Sequence, residues 1–352
     1  MERKRATNLA INALMFVIGI VIIALMLYFI GAENVIEVML KADPYLLTLS
    51  ILLMLSILSI KLVRWWLLQK EANFTNSSRV YLIGQAMNLF APIGTGEITR
   101  AAIAKTKLGI KARDTMAAVV IERISDITFL VAMAGICIIL FIPGQENLIF
   151  IIILIAILAI AYFLLFKPQF FDRLAVFIEK LFEKRGKFLT RLSLKISISI
   201  SKFKGAIIKF HKRKALLAVN AVLTVLGWVI EAVVTYTLLL AFDVASPPFI
   251  FYLLVVNATS WVARTFLFLP VGPKEVTFIL LLENLFGIAG DIGSAVALTL
   301  LAINYIGLGI GAVVSIFTFP PRPKVKEEEK ESPEDDEDRE NKGNKEPKET
   351  EI

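Results

Sequence analysis

The chain alternates between long apolar runs and short polar connections. Six runs are candidates to cross the membrane: Asn8 to Ile30, Tyr45 to Trp66, Thr115 to Phe141, Leu148 to Phe166, Ala215 to Phe242 and Ile292 to Phe319. A hydrocarbon core of about 30 Å takes about 20 helical residues, because each residue adds about 1.5 Å. The pattern therefore predicts an all-α membrane protein with six to eight transmembrane helices.

The composition supports this prediction and argues against most kinds of catalytic or metal site. Apolar residues make up 57% of the 352 positions, whereas soluble domains have about 45 to 50%. Cys137 is the only cysteine and His211 the only histidine, which excludes disulfides, thiolate metal sites and histidine pairs for metals. No phosphate-binding glycine loop or nucleophile elbow occurs. We therefore expect no enzyme activity, no metal and no cofactor.

The positions of Lys and Arg predict the topology. Residues 167–214 contain fourteen basic and three acidic residues, so the positive-inside rule places this segment, the N-terminus and the end of the second run near Lys61 and Arg64 on the cytoplasmic side. The formal charge of +7 then reflects topology, and we expect no nucleic-acid partner. Apolar residues between Phe170 and Phe182 recur at helical spacing. They predict an amphipathic helix that either lies on the inner leaflet or caps the spans.

These features divide the chain into three regions. Residues 1–319 form a polytopic membrane domain, with halves at about 45–166 and 215–319, and residues 167–214 form the cytoplasmic basic segment. Residues 320–352 carry thirteen acidic and eight basic side chains and few apolar ones. Such a composition cannot bury a core, so we expect a disordered cytoplasmic tail.

An internal duplication relates the two halves. Pro92-Ile-Gly-Thr-Gly-Glu-Ile-Thr99 aligns with Pro270-Val-Gly-Pro-Lys-Glu-Val-Thr277, and Gly109-Ile110 then aligns with Gly287-Ile288 without a gap. The shared residues are polar or break helices, so a common membrane composition does not explain the match.

Each copy of the motif predicts a turn between two helices, and in the second copy the helix that ends at Leu269 is long enough to cross the membrane. Pro92 and Gly94 form the first turn, and Pro270 and Gly272 form the second. The arms of the first copy are too short to cross, which indicates a re-entrant hairpin. Because three predicted spans separate the copies, the second hairpin is expected to open to the opposite side. The sequence thus predicts an inverted repeat, with a site near the membrane midplane.

Charged residues at membrane depth are the candidates for function. Glu97 and Glu275 either cap the following helix or line a polar cavity, where they bind a proton or a cationic group. Arg100 lies near Glu97, and further charges are Glu122, Arg123, Asp126, Glu231 and Glu283, for all of which structural ion pairing is the alternative. Arg264 and Lys274 have no basic counterpart in the first copy and lie beside a helix N-terminus. That combination predicts an anion site suited to phosphate.

Three of these motifs carry a resemblance to a known family. They are Asn88-Leu-Phe-Ala-Pro-Ile-Gly-Thr-Gly-Glu-Ile-Thr-Arg-Ala101, Glu122-Arg123 with Asp126, and the turn from Pro270 to Glu275. Over roughly residues 5–318 the chain resembles the flippase-like transmembrane region of lysylphosphatidylglycerol synthases and its stand-alone prokaryotic and archaeal relatives. Members of that family look like translocators of lipids with polar headgroups, including aminoacylated phosphatidylglycerol, and archaeal relatives are linked to dolichol-phosphate sugar pathways. The resemblance therefore implies lipid transport.

Two departures from the family pattern narrow what the resemblance implies. No aminoacyl-transferase domain follows, so we do not expect transfer of lysine from tRNA. Pro273-Lys274 replaces a stretch that tends to be glycine-rich, which favours an anionic headgroup.

The sequence therefore predicts translocation of a polar or phosphate-bearing lipid across the cell membrane, with both termini in the cytoplasm. The expected partners are membrane lipids of an anionic or polyprenyl-phosphate type. Two alternatives stay open: a secondary transporter of a small anionic solute, and an accessory membrane protein without transport activity. The predicted substrate-binding residues are Asn88, Glu97, Arg100, Arg123, Arg264, Lys274 and Glu275.

Overall fold

The computed structural model describes most of the membrane domain. It covers residues 31–69, 71–90, 94–141, 212–267 and 271–319, together with residue 269 and isolated positions within 21–30 and 152–210. The predicted first and fourth spans, the amphipathic helix and the charged tail lie largely or wholly outside these residues. Pro92 and Pro270 also lie outside them. Those interpretations stay predictions.

The described residues form α-helices, and no strand occurs among them. The helices are α1 Ala32–Leu40, α2 Pro44–Leu68, α3 Phe74–Phe90, α4 Thr95–Leu108, α5 Ala112–Phe141, α6 Lys214–Ala241, α7 Ile250–Leu267, α8 Pro273–Phe286 and α9 Gly290–Thr318. Within this part of the chain, α2, α6 and α9 are long and apolar enough to span a membrane. The all-helical membrane fold is thus confirmed.

The duplicated motif builds the same helix twice. Helix α4 has 14 residues and lies between Gly94, with φ of 103°, and Gly109, with φ of 72°. Helix α8 also has 14 residues and lies between Gly272, with φ of 103°, and Gly287, with φ of 65°. These positive φ angles strain residues that carry a Cβ atom, which explains why both copies keep glycine at both ends.

Helices of the two halves pack in corresponding pairs. In the first half α3 contacts α4, and in the second half α7 contacts α8. We call the first pair hairpin 1 and the second pair hairpin 2. The long helix α5 packs on α7, and its counterpart α9 packs on α3, while α2 packs on α6. Each half therefore supplies a long helix to the hairpin of the other half.

Both halves contain clusters of buried apolar side chains, and the outer faces of the helices are apolar too. Leu238, Leu253 and Leu282 are fully buried among α6, α7 and α8. On α9, by contrast, Ile306 is 61% exposed and Phe317 is 85% exposed. Such surfaces suit contact with lipid, since in water they would be costly.

Hairpin 1 is held at unusually close range by two glycines. A Cβ atom on Gly84 would lie 2.8 Å from the carbonyl oxygen of Gly96. A Cβ atom on Gly96 would lie 2.6 Å from Cγ of Asn88 and would also overlap the carbonyl oxygen of Gly84. Neither backbone can yield without separating α3 from α4.

We expect Gly96→Ala to destabilise the protein by roughly 1 to 3 kcal/mol, because the added methyl group overpacks this contact. The matched control is Gly309→Ala in α9, where no atom lies within 4 Å of the added Cβ. Melting temperatures of the purified proteins in detergent test the difference. Equal melting temperatures for the two variants would contradict the close-packing argument.

Candidate functional site

A cavity of about 310 Å³ lies between the two halves. One part of its wall is apolar and comes mainly from α2, α6 and α9, including Leu55, Leu223 and Leu308. The other part is charged and consists of Lys61, Arg64, Glu122, Arg123, Asp126, Glu231, Arg264, Lys274 and Glu275. Leu55 is 48% exposed, so the apolar part continues to the outer surface of the domain. The cavity is therefore amphipathic.

Arg100 is the centre of the first charge cluster, which comprises Arg64, Glu97, Arg100, Glu122, Arg123 and Asp126. Its side chain has no exposed surface. Nη1 donates to Oε2 of Glu122 at 2.7 Å, and Nη2 donates to Oε1 of Glu97 at 3.4 Å. The guanidinium also lies 4.5 Å from the ring centre of Trp65 and 5.2 Å from that of Tyr81. Two carboxylates and two aromatic faces thus compensate one buried charge.

Arg64 joins this cluster from α2 and uses its whole guanidinium. Nε donates to Oδ1 of Asn220 at 2.7 Å, Nη1 to Oδ1 of Asp126 at 2.6 Å, and Nη2 to the carbonyl oxygen of Glu122 at 2.7 Å. The sequence placed Arg64 at the cytoplasmic end of a span, but the residue is only 5% exposed. The side chain stays inside the bundle because α5 and α6 supply its acceptors, and its side of the membrane stays a prediction.

Glu97 forms ion pairs, while Asn88 satisfies the start of α4. Oε1 of Glu97 accepts from Arg123, from Arg100 and, at 3.3 Å, from Nδ2 of Asn88. Oδ1 of Asn88 accepts the backbone N–H of Gly96 at 2.7 Å. The second carboxylate oxygen of Glu97 is buried without a hydrogen-bond partner. In hairpin 1, Asn88 therefore caps α4, and Glu97 forms the ion pairs.

In hairpin 2 the equivalent glutamate does cap its helix. Oε2 of Glu275 accepts the backbone N–H of Gly272 at 2.7 Å. Glu275 also lines the cavity. For Glu275 the two readings of the sequence are thus compatible, and its charge already compensates the positive end of α8.

A second charge cluster lies around Trp261. It comprises Glu231, Trp261, Arg264, Lys274 and Glu275. Oε1 of Glu231 accepts from Nε1 of Trp261 at 2.9 Å and from Nζ of Lys274 at 3.3 Å. Nζ of Lys274 lies 4.4 Å from the Trp261 ring centre, and Cζ of Arg264 lies 4.9 Å from it. Trp228 meets Trp261 edge to face at 6.0 Å. Two cations therefore share one aromatic side chain.

Arg264 and Lys61 differ from the other bases of the cavity. In the part of the chain that the structure describes, neither forms an ion pair with a carboxylate, and Nε of Arg264 is buried without a hydrogen-bond partner. Both side chains line the cavity. Both side chains are half-buried. A half-buried cation without a carboxylate partner is incompletely compensated, and a bound anion would complete its compensation.

The structure brings most of the predicted site residues to one cavity. Asn88, Arg123, Arg264, Lys274 and Glu275 line it, and Arg123 keeps 37% of its side chain exposed. Glu97 contacts Asn88 and Arg123, and Arg100 contacts Glu97, but neither Glu97 nor Arg100 lines the cavity. Gly94 and Gly272 mark the turns that precede α4 and α8. Among the described residues, no group of acidic, His or Cys side chains is arranged to hold a metal ion.

Sequence reasoning left out Lys61 and Trp261 as site residues and treated Glu231 only as a charge at membrane depth. All three line the cavity. A charged residue inside an apolar run was the available signal for Lys61 and Glu231. No comparable signal marked Trp261, since tryptophan is common in membrane helices.

Comparison with known proteins identifies the family. The profile described as the lysylphosphatidylglycerol synthase TM region matches residues 13–311. The chain belongs to this family. The resemblance inferred from the motifs is confirmed. The matched region includes every residue that lines the cavity.

One relative within the curated proteins gives a more distant comparison. The chain is 24% identical to a UPF0104 membrane protein of Methanothermobacter thermautotrophicus over 250 residues, which cover 66% of this chain and 73% of the relative. No solved structure matches the chain.

In this family member we expect Glu122→Gln to lower stability by roughly 3 to 5 kcal/mol, because it leaves the Arg100 charge buried with a weaker partner. The matched control is Glu37→Gln, which removes a carboxylate from the exposed pair with Lys41 and should change little. Thermal unfolding in detergent measures both. A Glu122→Gln protein as stable as the control would mean that the first charge cluster does not stabilise the fold.

Proposed function

We propose that the protein translocates a phosphate-bearing lipid across the cell membrane, without a chemical step. The observation that carries this proposal is a cavity lined both by apolar side chains and by two cations, Arg264 and Lys61, that form no ion pair with a carboxylate among the described residues. The cations attract a phosphate, and the apolar wall accommodates the adjoining part of a lipid. Anionic phospholipids and polyprenyl phosphates both have this chemistry.

Arg264 is the principal contact for phosphate in this proposal. Its guanidinium rests on Trp261, which leaves its donors available at the edge, and a guanidinium binds two phosphate oxygens in parallel. Lys274 is a weaker candidate than the sequence indicated, because Glu231 already accepts from it. The positive end of α8 also contributes less, because Glu275 accepts the N–H of Gly272.

The apolar wall favours a lipid over a small anion. A small hydrated solute gains nothing from Leu55, Leu223 and Leu308, whereas a lipid can keep its chains beside them while its headgroup enters the charged part. Only the polar end of a lipid needs a path, because the chains remain in hydrocarbon. A secondary transporter of small anions stays the alternative, since it would use the same cations.

We further propose that the hairpins face opposite sides of the membrane and that alternate opening of the two halves moves the headgroup. Support comes from the equal lengths of α4 and α8 and from the exchange of long helices between the halves. Inverted repeats of this kind place the substrate site at broken helices near the midplane. In this arrangement the N-terminus and the C-terminal tail lie in the cytoplasm.

The proposed orientation is tested with single cysteines at two exposed positions, Thr75 at the start of hairpin 1 and Ser246 before hairpin 2. In a Cys137→Ser background, a membrane-impermeant thiol reagent should label Ser246→Cys in intact cells and Thr75→Cys only after the cells are opened. Labelling of both positions from the same side would rule out the inverted arrangement.

The transport proposal predicts that Arg264→Gln slows lipid movement by roughly 10- to 100-fold, because a charged hydrogen bond contributes about 1.5 to 3 kcal/mol. The assay uses purified protein in liposomes that contain fluorescent phospholipids or polyprenyl phosphates, with a quencher added outside. Arg113→Gln is the matched control, since Arg113 is exposed and does not line the cavity. Both variants should be produced in amounts close to the parental protein.

The same liposomes separate the alternatives. Equal lipid movement by the parental and Arg264→Gln proteins would remove Arg264 from the site. Uptake of inorganic phosphate without any lipid movement would favour the small-anion transporter. Absence of both activities would favour an accessory role.

A further inference from the structure

The charges around the cavity do not cancel. The two charge clusters together with Lys61 contain six basic side chains, which are Lys61, Arg64, Arg100, Arg123, Arg264 and Lys274, and five acidic ones, which are Glu97, Glu122, Asp126, Glu231 and Glu275. Residues 91–93, 268 and 270, which separate the helices of each pair in the sequence, carry no charge. Among the residues that the structure describes, the formal balance of the site is therefore one positive charge.

A single residual charge restricts which headgroup completes the site. In a medium of low dielectric constant, an uncompensated charge costs several kcal/mol, so the bound state that is formally neutral is preferred. A headgroup with one negative charge reaches neutrality. A zwitterionic headgroup leaves the positive charge in place, and a headgroup with two negative charges reverses it.

Most of the acidic residues are committed to a partner other than the ligand. Glu122 and Asp126 accept from Arg100 and Arg64, Glu97 accepts from Arg123, and Glu275 accepts from the start of α8. Glu231 is also paired, with Lys274, but it is the acidic residue that accepts from Trp261, the ring on which Arg264 lies. Its side chain is only 8% exposed, so solvent screens its charge weakly.

We propose that the site selects lipids whose headgroup carries one negative charge, such as a phosphodiester, and that Glu231 is the residue that sets this limit. The inference rests on the proposed lipid function. Glu231 keeps Lys274 occupied and repels a second negative charge on the headgroup. Without its carboxylate, Lys274 becomes a further free cation, and the formal balance rises to two positive charges.

A binding experiment tests this selection without requiring transport. The purified full-length protein in detergent is mixed with equal amounts of phosphatidylcholine, phosphatidylglycerol and phosphatidic acid at pH 8, and native mass spectrometry measures which lipids remain bound. Their headgroups carry no net charge, one negative charge and nearly two, since the second pKa of a phosphomonoester is about 6. The parental protein should retain phosphatidylglycerol over each of the other two by about tenfold, which corresponds to about 1.4 kcal/mol.

The variants assign the selection to Glu231. Glu231→Gln should reverse the ratio of phosphatidylglycerol to phosphatidic acid. Glu283→Gln should leave the ratio unchanged, because it makes the same replacement on the exposed side of α8, outside the cavity. A Glu231→Gln protein that unfolds is replaced by Glu231→Asp, which keeps the charge and should keep the parental ratio.

The outcomes separate this inference from the proposed function. A parental protein that retains phosphatidic acid or phosphatidylcholine as well as phosphatidylglycerol would overturn the inference. An identical shift in the Glu231→Gln and Glu283→Gln proteins would also overturn it. Charge-selective retention in detergent combined with no lipid movement in liposomes would leave the inference standing and remove the transport function.

Discussion

Arg100 imposes the constraint on which the membrane domain depends. A guanidinium is always charged, and this one has no exposed surface. Helices α2, α3, α4 and α5 must therefore all reach it, since Trp65, Tyr81, Glu97 and Glu122 come from these four elements. The carboxylate of Glu97 also accepts from Arg123 of α5, and the backbone carbonyl oxygen of Glu122 accepts from Arg64 of α2. Compensation of one buried cation thus fixes the relative positions of most of the first half.

The aligned glutamates of the two copies, Glu97 and Glu275, have different roles. The residue at the position of Asn88 explains the difference. In hairpin 1, Asn88 accepts the N–H of Gly96 and leaves Glu97 for Arg123. The residue that aligns with Asn88 in the second copy is Phe266, whose side chain cannot accept a hydrogen bond. Glu275 therefore takes the capping role in hairpin 2.

A second difference between the copies explains why hairpin 2, and not hairpin 1, contributes charged residues to the cavity wall. The contact between Gly84 and Gly96 leaves no space between α3 and α4. The aligned residues in hairpin 2 are Val262 and Lys274. The long lysine side chain directs a charge toward Glu231 where hairpin 1 has only backbone. Loss of two glycines thus converts a tightly packed pair of helices into one that contributes charged groups to the cavity.

Sequence patterns were sufficient for the helical membrane fold, the family and the candidate bases of hairpin 2. These predictions rest on local signals: the length of the apolar runs, glycine at the ends of α4 and α8, and charged residues within apolar runs. The partner of each charge was not predictable, because it depends on tertiary distances that no local pattern encodes. Arg64 shows this clearly, since its acceptors lie on α5 and α6. The pairing of Lys274 with Glu231 joins residues 43 positions apart and was missed for the same reason.

The exchange of long helices between the halves has a consequence for how the protein is made. The hydroxyl of Tyr305 on α9 donates to the carbonyl oxygen of Leu89 near the end of α3, at 3.0 Å and across 216 positions of the chain. Ribosomes add about 5 to 20 residues per second. Hairpin 1 therefore leaves the ribosome on the order of ten to forty seconds before α9, the helix that packs on α3, has been synthesised. The first half cannot complete its own packing during synthesis. Final assembly of the membrane domain therefore waits for the last helix to be inserted.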